Sequence, residues 1–295
     1  MAREFKYVGI IGSHHNNPCV ADTVQYIESL LSKHAKTLVE TETAKNLENT
    51  LAKTYSLEYI AKNCDLAVII GGDGSFLNTG RNLSLMGKIP IVGINRGKLG
   101  FLTDIAPEEA TQRLLPILKG NYRQEQRFML QASIKRQKKT YQTMVALNDI
   151  VIDAGKHNKL FQMDVNINER YAFDQRADGI IIATPTGSTA HALSAGGSIM
   201  HPSLEAVVLV PMFSHSLSSR PIIIDAKSKI RISISEHNNP KPILSFDGHT
   251  KATLRPNDCV HIEQCEKYVT ILHPLDYDYF STLRSKLHWG KKLFP

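Results

Sequence analysis

The apolar pattern of this chain changes period once, near Arg123, and that change limits the folds open to it. Before it, short runs that are apolar throughout alternate with segments of helical period. Residues 7–12, 66–70 and 89–94 are such runs and read as strands buried on both faces. Between the first two, Val20, Val24, Ile27, Leu30 and Leu31 share one face of a helix. Strands of this kind separated by helices predict a parallel sheet covered on both sides. A helix over residues 107–119, with Ala110, Leu114, Leu115 and Ile117 turned inward, closes this half.

From Arg123 onward the period is two. Residues 162–168 and 229–235 alternate strictly between apolar and polar, as half-buried antiparallel strands do. Further strands are predicted at 128–134, 144–152, 179–183, 207–210, 221–224 and 259–272, enough for a β-sandwich. From Tyr277 to Leu293 the pattern turns amphipathic again. A length of 295 residues suits two domains, and no internal repeat or low-complexity linker interrupts it.

Composition narrows the function classes. With 42% hydrophobic and 21% charged residues the chain carries enough apolar surface to fold unaided. The formal net charge of +7 attracts anions, yet it also lies in the range that serves solubility alone. The densest basic run, Lys135-Arg136-Gln137-Lys138-Lys139, sits between two alternating stretches and reads as a hairpin turn. No aromatic ladder accompanies it, which argues against a nucleic-acid partner. Cysteines 19, 64, 259 and 265 form no CxxC pair and no zinc spacing, so they read as reduced thiols in a cytoplasmic protein. The first residues lack the apolar core of a signal peptide, and no run approaches a membrane span, so no membrane partner is expected.

Two segments concentrate chemistry. Gly71-Gly72-Asp73-Gly74-Ser75 follows the strand ending at Ile70 and precedes a helix. Free N–H groups and the positive dipole end favour a phosphate there. The glycines would permit positive φ and close backbone approach, and Asp73 adds a carboxylate able to take a hydroxyl proton or hold Mg²⁺. Taken alone, the same motif serves as a tight turn with Asp as a helix cap. The missing Lys excludes a P-loop. The second segment, Thr184-Pro185-Thr186-Gly187-Ser188-Thr189-Ala190, crowds four hydroxyls into one turn after another apolar strand. Those hydroxyls would suit either a diphosphate or an N-cap. Ser188 lacks the GxSxG context of a hydrolase nucleophile. Asn148 and Asp149 interrupt a strand pattern, which by itself reads as a bulge or turn.

In combination and in order, these motifs resemble the NAD kinase family, closest to its bacterial members. The resemblance rests on residues 71–74, the stretch Gly93-Ile94-Asn95-Arg96-Gly97-Lys98-Leu99-Gly100-Phe101-Leu102, Asn148-Asp149, Asp178-Gly179, residues 184–197 and the final Trp289-Gly290-Lys291-Lys292-Leu293-Phe294. It spans nearly the whole chain. It implies a Rossmann-like parallel α/β domain at residues 1–122 and 275–295, and an all-β sandwich at 123–274 that binds NAD. The tail would return to the first domain.

The implied reaction moves the γ-phosphoryl group of ATP to the adenosine ribose 2′-hydroxyl of NAD, with Mg²⁺ on the donor phosphates. By resemblance, Asp73 would be the general base with Gly74 beside it and Phe101 bordering the ligand. Asn148 and Asp149 would hold the dinucleotide's polar edges. Thr189, Ala190, His191, Ala192, Leu193 and Ser194 would line the same site. Arg176 and Asp178 match dinucleotide-contacting positions near a subunit contact, implying a homodimer or homotetramer. This chain departs from the family at four positions: Asp149 for the usual Glu, His191 for Tyr, and Lys159 and His249 where close relatives have His and Gln. Two other readings are a lipid or sugar kinase, which Gly-Gly-Asp-Gly alone would also fit, and a non-catalytic NAD(P)-binding sensor.

Overall fold

A computed structural model describes residues 4–13, 18–45, 47, 53–96, 100–137, 139–155, 160–216, 218–236, 238 and 241–289. It divides into two compact units, Met1–Gln126 with Val269–Pro295, and Arg127–Tyr268.

The first unit alternates strands and helices: β1 (Tyr7–Gly12), α1 (Pro18–Leu31), β2 (Lys36–Glu40), α2 (Thr41–Ala44), β3 (Thr54–Tyr55), α3 (Leu57–Asn63), β4 (Leu66–Gly71), α4 (Asp73–Met86), β5 (Ile91–Asn95) and α5 (Ala110–Leu118). Every residue of β4 and β5 is buried, which is why their sequences are apolar apart from Asn95, whose side-chain amide bonds to Thr103. Val20, Val24, Ile27 and Leu31 of α1 and Ala110, Leu114 and Ile117 of α5 enter one core with Val8, Ile10, Val68, Ile70, Val92 and Ile94. Leu30 and Leu115 pack against its margin. The elements β2, β3, α2 and α3 fall outside the runs read from sequence. Two of them have four residues or fewer and β2 has five, too few to display a period.

The second unit carries most of β6 (Arg123–Arg136), β7 (Lys139–Ala146), β8 (Asp149–Asp153), β9 (Phe161–Ile167), β10 (Arg170–Ala177), β11 (Gly179–Ala183), α6 (His191–Ser194), β12 (Ala206–Met212), β13 (Ile222–Asp225), β14 (Ile230–Ile234), β15 (Ile243–Phe246), β16 (Thr250–Thr253) and most of β17 (Cys259–His273). One sheet runs β13-β12-β11-β8-β15-β16, antiparallel throughout. The other joins β10, β9, β14 and β17, with β6 and β7 beside β17. Ile150, Ile152, Ile180, Ile182 and Leu244 of the first sheet meet Phe161, Met163, Val165, Ile230 and Ile232 of the second in one core, as a sandwich requires. The basic run, apart from Lys138, which lies outside the described residues, falls at the β6–β7 turn, where Arg136 pairs with Lys139 and Gln137 has φ 48°.

A single strand over 144–152 does not form. The chain breaks at Leu147-Asn148, so that β7 pairs with β6 while β8 joins the other sheet. The cause lies far along the chain: the Asp247 carboxylate accepts the N–H groups of Leu147 (3.1 Å), Asn148 (2.7 Å) and Asp149 (3.4 Å), donors a continuing strand would give to a neighbour.

The chain then returns. Val269–His273 of β17 and α7 (Tyr279–Leu287) belong to the first unit, where Ile271 pairs in parallel with Ile91. Asp278 caps α7 by accepting from the N–H groups of Phe280 and Ser281. The first unit thus holds a parallel sheet in the order β3-β2-β1-β4-β5, with the end of β17 beyond β5. Among the described residues no helix is long and apolar enough to cross a membrane.

Candidate active site

In the first unit the chain steps from β1 outward to β2 and β3, then crosses to β4 on the other side of β1. Open parallel sheets bind ligands outside the carboxyl ends of strands at such a reversal. Gly71-Gly72-Asp73-Gly74 occupies that place, at the β4–α4 junction. Ser13 after β1 donates its N–H to the Ile70 carbonyl (2.9 Å), and Arg96 after β5 donates to the Gly71 carbonyl (3.1 Å), so three strand ends meet there.

Asp73 is the first residue of α4, and its carboxylate is fixed by its surroundings. Oδ2 accepts the N–H of Phe101 at 2.8 Å; Oδ1 accepts the N–H of Leu102 at 3.1 Å and the Thr103 hydroxyl at 3.3 Å. Thr103 is held in turn by Asn95, whose Nδ2 donates to its Oγ1 at 3.0 Å. A Cβ at Gly100 would lie 1.9 Å from Asp73 Oδ1, so only glycine leaves room for the carboxylate.

The motif glycines act differently from the sequence expectation. Gly71, Gly72 and Gly74 do not adopt positive φ; among the described residues the glycines that do are 120, 155, 196 and 248. Gly72 and Gly74 have nothing within 4 Å of an added Cβ, so their contribution is open space before the helix N-terminus. Residues 97–99 of the neighbouring loop lie outside the described residues.

In the second unit the hydroxyl-rich segment is built inward. Thr184 donates its hydroxyl to the Leu147 carbonyl (2.6 Å) and accepts the Gly187 N–H (3.2 Å). Ser188 donates to the Pro185 carbonyl (2.6 Å) and accepts the Met200 N–H (2.9 Å), while Thr186 receives a guanidinium N–H of Arg127 at 3.2 Å. Thr184, Thr186 and Ser188 are buried. These three hydroxyls therefore hold the loop's shape and are not offered to a diphosphate, correcting that expectation. Gly187 lies against the 147–149 break, where an added Cβ would sit 2.1 Å from the Asn148 carbonyl oxygen.

Beyond this loop lies a cavity of about 530 Å³. Its floor is the outward face of the β8–β11–β12–β15 sheet, through Val151, Asp153, Ile181, Met212 and Ser245. Its rim carries His191, Ser194, Ala195, Phe213 and Gly248. Of the residues singled out by sequence, His191 and Ser194 line it, and Thr189, Ala190, Ala192 and Leu193 lie on the same short segment. Asp149 is buried beside it and His249 follows Gly248 in the β15–β16 turn. Asp178 precedes Gly179, which pairs with Asp153 and Met212 of the floor. Arg176 is exposed on β10, Asn148 stands at the strand break, and Lys159 lies outside the described residues. Gly74 and Phe101 stand with Asp73 in the first unit.

Sequence reasoning missed the floor residues and Asp247. The floor could have been found: Val151 and Asp153 alternate with the core residues Ile150 and Ile152 and so face the other way.

The His191 imidazole Nδ1 lies 3.3 Å from Asp149 Oδ2, and Asp149 is fully buried. The hydrogen bond to Asp149 raises the His191 pKa above its ordinary value; burial opposes it, and the nearby charges of Asp149 and Asp247 add to it. Stabilisation from a raised pKa is complete below the unfolded value of about 6.5 and fades as pH rises through the folded value. Thermal midpoints of wild type and His191→Phe should therefore differ more at pH 6 than at pH 9. An equal difference at both would show that the pair does not titrate as described.

Residues 15–122 match the ATP-NAD kinase N-terminal domain and residues 147–273 the ATP-NAD kinase C-terminal domain. The NAD kinase of Photorhabdus laumondii is 42% identical over 100% of both chains, and that of Marinobacter nauticus 40% identical over 98% of both. The crystal structure of yeast NADH kinase complexed with NADH superposes with TM-score 0.87 at 25% identity, covering 98% of this chain and 89% of that one. An NAD kinase from Archaeoglobus fulgidus in complex with ATP shares the fold, with TM-score 0.73 at 23% identity over 96% of this chain and 98% of its own.

A carboxylate fixed at the switch point of a parallel sheet, in a chain that matches these models in both halves, defines a phosphotransferase acting on a nucleotide. The chain belongs to the NAD kinase family, and its reaction is the ATP-dependent phosphorylation of NAD.

Proposed function

We propose that Asp73 is the general base that takes the proton from the adenosine ribose 2′-hydroxyl of NAD as the γ-phosphoryl group of ATP arrives. The observation that carries this reading is the fixed carboxylate: among the described residues Oδ2 accepts one hydrogen bond, leaving a lone pair for a substrate hydroxyl. A ribose hydroxyl is a weak nucleophile, so orientation and proton removal supply the acceleration that the protein itself contributes. Gly74 and Phe101 border this carboxylate in the reading. Asn148, Asp149, Arg176, Asp178, the 189–194 segment, Lys159 and His249 contact the dinucleotide, supported by the match at residues 147–273 and by the apolar cavity that His191 and Ser194 line.

Among the described residues no three His, Cys, Asp or Glu side chains converge to hold a metal. That donor set fits Mg²⁺ carried mainly by the phosphates of ATP, since this cation keeps several waters and needs one or two carboxylates at most. Bound there, it would neutralise charge on the transferring phosphoryl group. A cytoplasmic location is supported by the cysteines: none of Cys19, Cys64, Cys259 and Cys265 is in a disulfide, and burial pushes the Cys64 thiol up to about 12. The positive net charge favours encounter with two polyanionic substrates. Assembly into a homodimer or homotetramer completes the reading. The lipid- or sugar-kinase alternative rested on Gly-Gly-Asp-Gly alone, and the full-length similarity to NAD kinases displaces it along with the sensor.

Purified protein should form NADP from NAD with ATP and Mg²⁺, lose turnover when the cation is chelated, and scatter light as a multiple of 32.9 kDa. Turnover indifferent to chelation would remove Mg²⁺ from the reading, and a monomeric mass would remove the oligomer.

A further inference from the structure

We propose that His273 is a positioning residue for the reaction: clamped to Asp104, it fixes the backbone segment whose amides hold the Asp73 carboxylate. The proposal rests on the reading of Asp73 as the base.

The chain of contacts is short and lies within the first unit. Asp73 is held by the N–H groups of Phe101 and Leu102 and by Thr103. The next residue, Asp104, is buried, and its Oδ2 lies 2.8 Å from His273 Nδ1. His273 closes β17, has no exposed surface, and stacks on the Tyr277 ring with centroids 3.9 Å apart. Its Nε2 faces Glu125 Oε2 at 3.6 Å. On the far side, Asn95 donates its N–H to the Ile105 carbonyl at 2.7 Å. Residues 101–105 are thus tied to β5 through Asn95 and to the end of β17 through Asp104.

The charges around His273 make its proton matter. Asp104 and Glu125 both face it. Arg113 of α5 donates one Nη to the Asp104 backbone carbonyl (3.2 Å) and is shared with Glu109 (3.2 Å) and Asp276 (2.9 Å). The imidazolium is therefore the cation between two carboxylates, and Tyr277 covers its ring. Burial lowers the His273 pKa, but the hydrogen bonds and charges of Asp104 and Glu125 outweigh it and leave the value raised. Loss of the proton would leave two carboxylates facing each other across a neutral ring, one of them buried. Such a pair is relieved by movement or proton uptake, and either loosens the segment that carries the Phe101 and Leu102 amides.

The test is steady-state kinetics of the full-length enzyme from pH 6 to pH 10 for wild type, His273→Gln, Asp104→Asn and Glu125→Gln, with Asp73→Asn alongside and thermal unfolding of each. Wild-type kcat should fall along an alkaline limb. Glu125→Gln removes one charge that raises the His273 pKa, so it should move that limb to lower pH, and Asp104→Asn should move it further. His273→Gln should lower kcat by about tenfold, the scale of a small misplacement of a reacting group, with KM for NAD and ATP within about twofold. Folded variants with wild-type kcat and an unmoved limb would overturn the proposal, as would a loss confined to KM. If the two buried variants do not fold, Glu125→Gln decides, and an unmoved limb overturns it. Full activity in Asp73→Asn is a separate failure, that of the base itself.

Discussion

Asp73→Asn is expected to lower kcat by roughly 10²- to 10⁴-fold, the range that a positioned general base contributes. This corresponds to about 3–5 kcal/mol of transition-state stabilisation. The substitution preserves volume, and one amide oxygen still accepts an N–H from the 101–103 segment. The amide nitrogen cannot accept the second donor, so part of the loss would come from a loosened loop. Comparing KM separates the two effects: with the proton acceptor alone removed, KM for NAD stays within a few-fold, because ground-state binding does not need the base. Wild-type turnover in the variant would reduce Asp73 to a structural residue that holds the 101–103 segment, since Gly72 and not Asp73 stands at the N-cap of α4.

That ambiguity shows how far the sequence reaches. The Gly-Gly-Asp-Gly motif was legible because it sits between an apolar strand and a helix. What holds its carboxylate was not legible, because Phe101, Leu102 and Thr103 are about thirty residues away. The strand break at Asn148 followed the same rule. Two polar residues marked an interruption, but the reason, Asp247, lies about a hundred residues on. Alternation exposed most strands of the sandwich yet left β10, β15 and β16 unread. In β10 the consecutive residues Tyr171 and Ala172 are both exposed, where the register shifts between Tyr171 and Phe173, so the pattern is blurred, and β15 and β16 have four residues each. His273 lies just past the strand read at 259–272 and nothing in the sequence marks it; only the fold brings Asp104 and Glu125 to it.

Glycines divide the site into parts built by packing and parts left open, and the sharpest test of that division is Gly187→Ala. The new Cβ would lie 2.1 Å from the Asn148 carbonyl oxygen, 2.5 Å from its carbon and 2.8 Å from its Cα, all backbone atoms that cannot turn aside. The same carbonyl accepts the Thr184 N–H at 2.9 Å, and the Leu147 carbonyl accepts the Thr184 hydroxyl, so a shift there breaks the bonds joining the two loops. Overpacking of this kind costs about 1–3 kcal/mol, and loss of one buried hydrogen bond adds about 1 kcal/mol or more. The thermal midpoint should fall by roughly 5–15 °C, at about 2–4 °C per kcal/mol for domains of this size. Because Asn148 and the 189–194 segment, proposed to contact NAD, move with the two loops, KM for NAD should rise by about tenfold or more, a displacement of such groups by an ångström being enough. Gly74→Ala supplies the contrast. Its Cβ would meet nothing within 4 Å and sits in the first turn of α4, so the fold should be unchanged or slightly stabilised. Any loss of turnover in that variant would then report crowding of the approaching ligand. Unchanged stability and KM in Gly187→Ala would mean that the 147–149 and 184–190 loops separate freely, and that the close backbone contact between them does not shape the dinucleotide site.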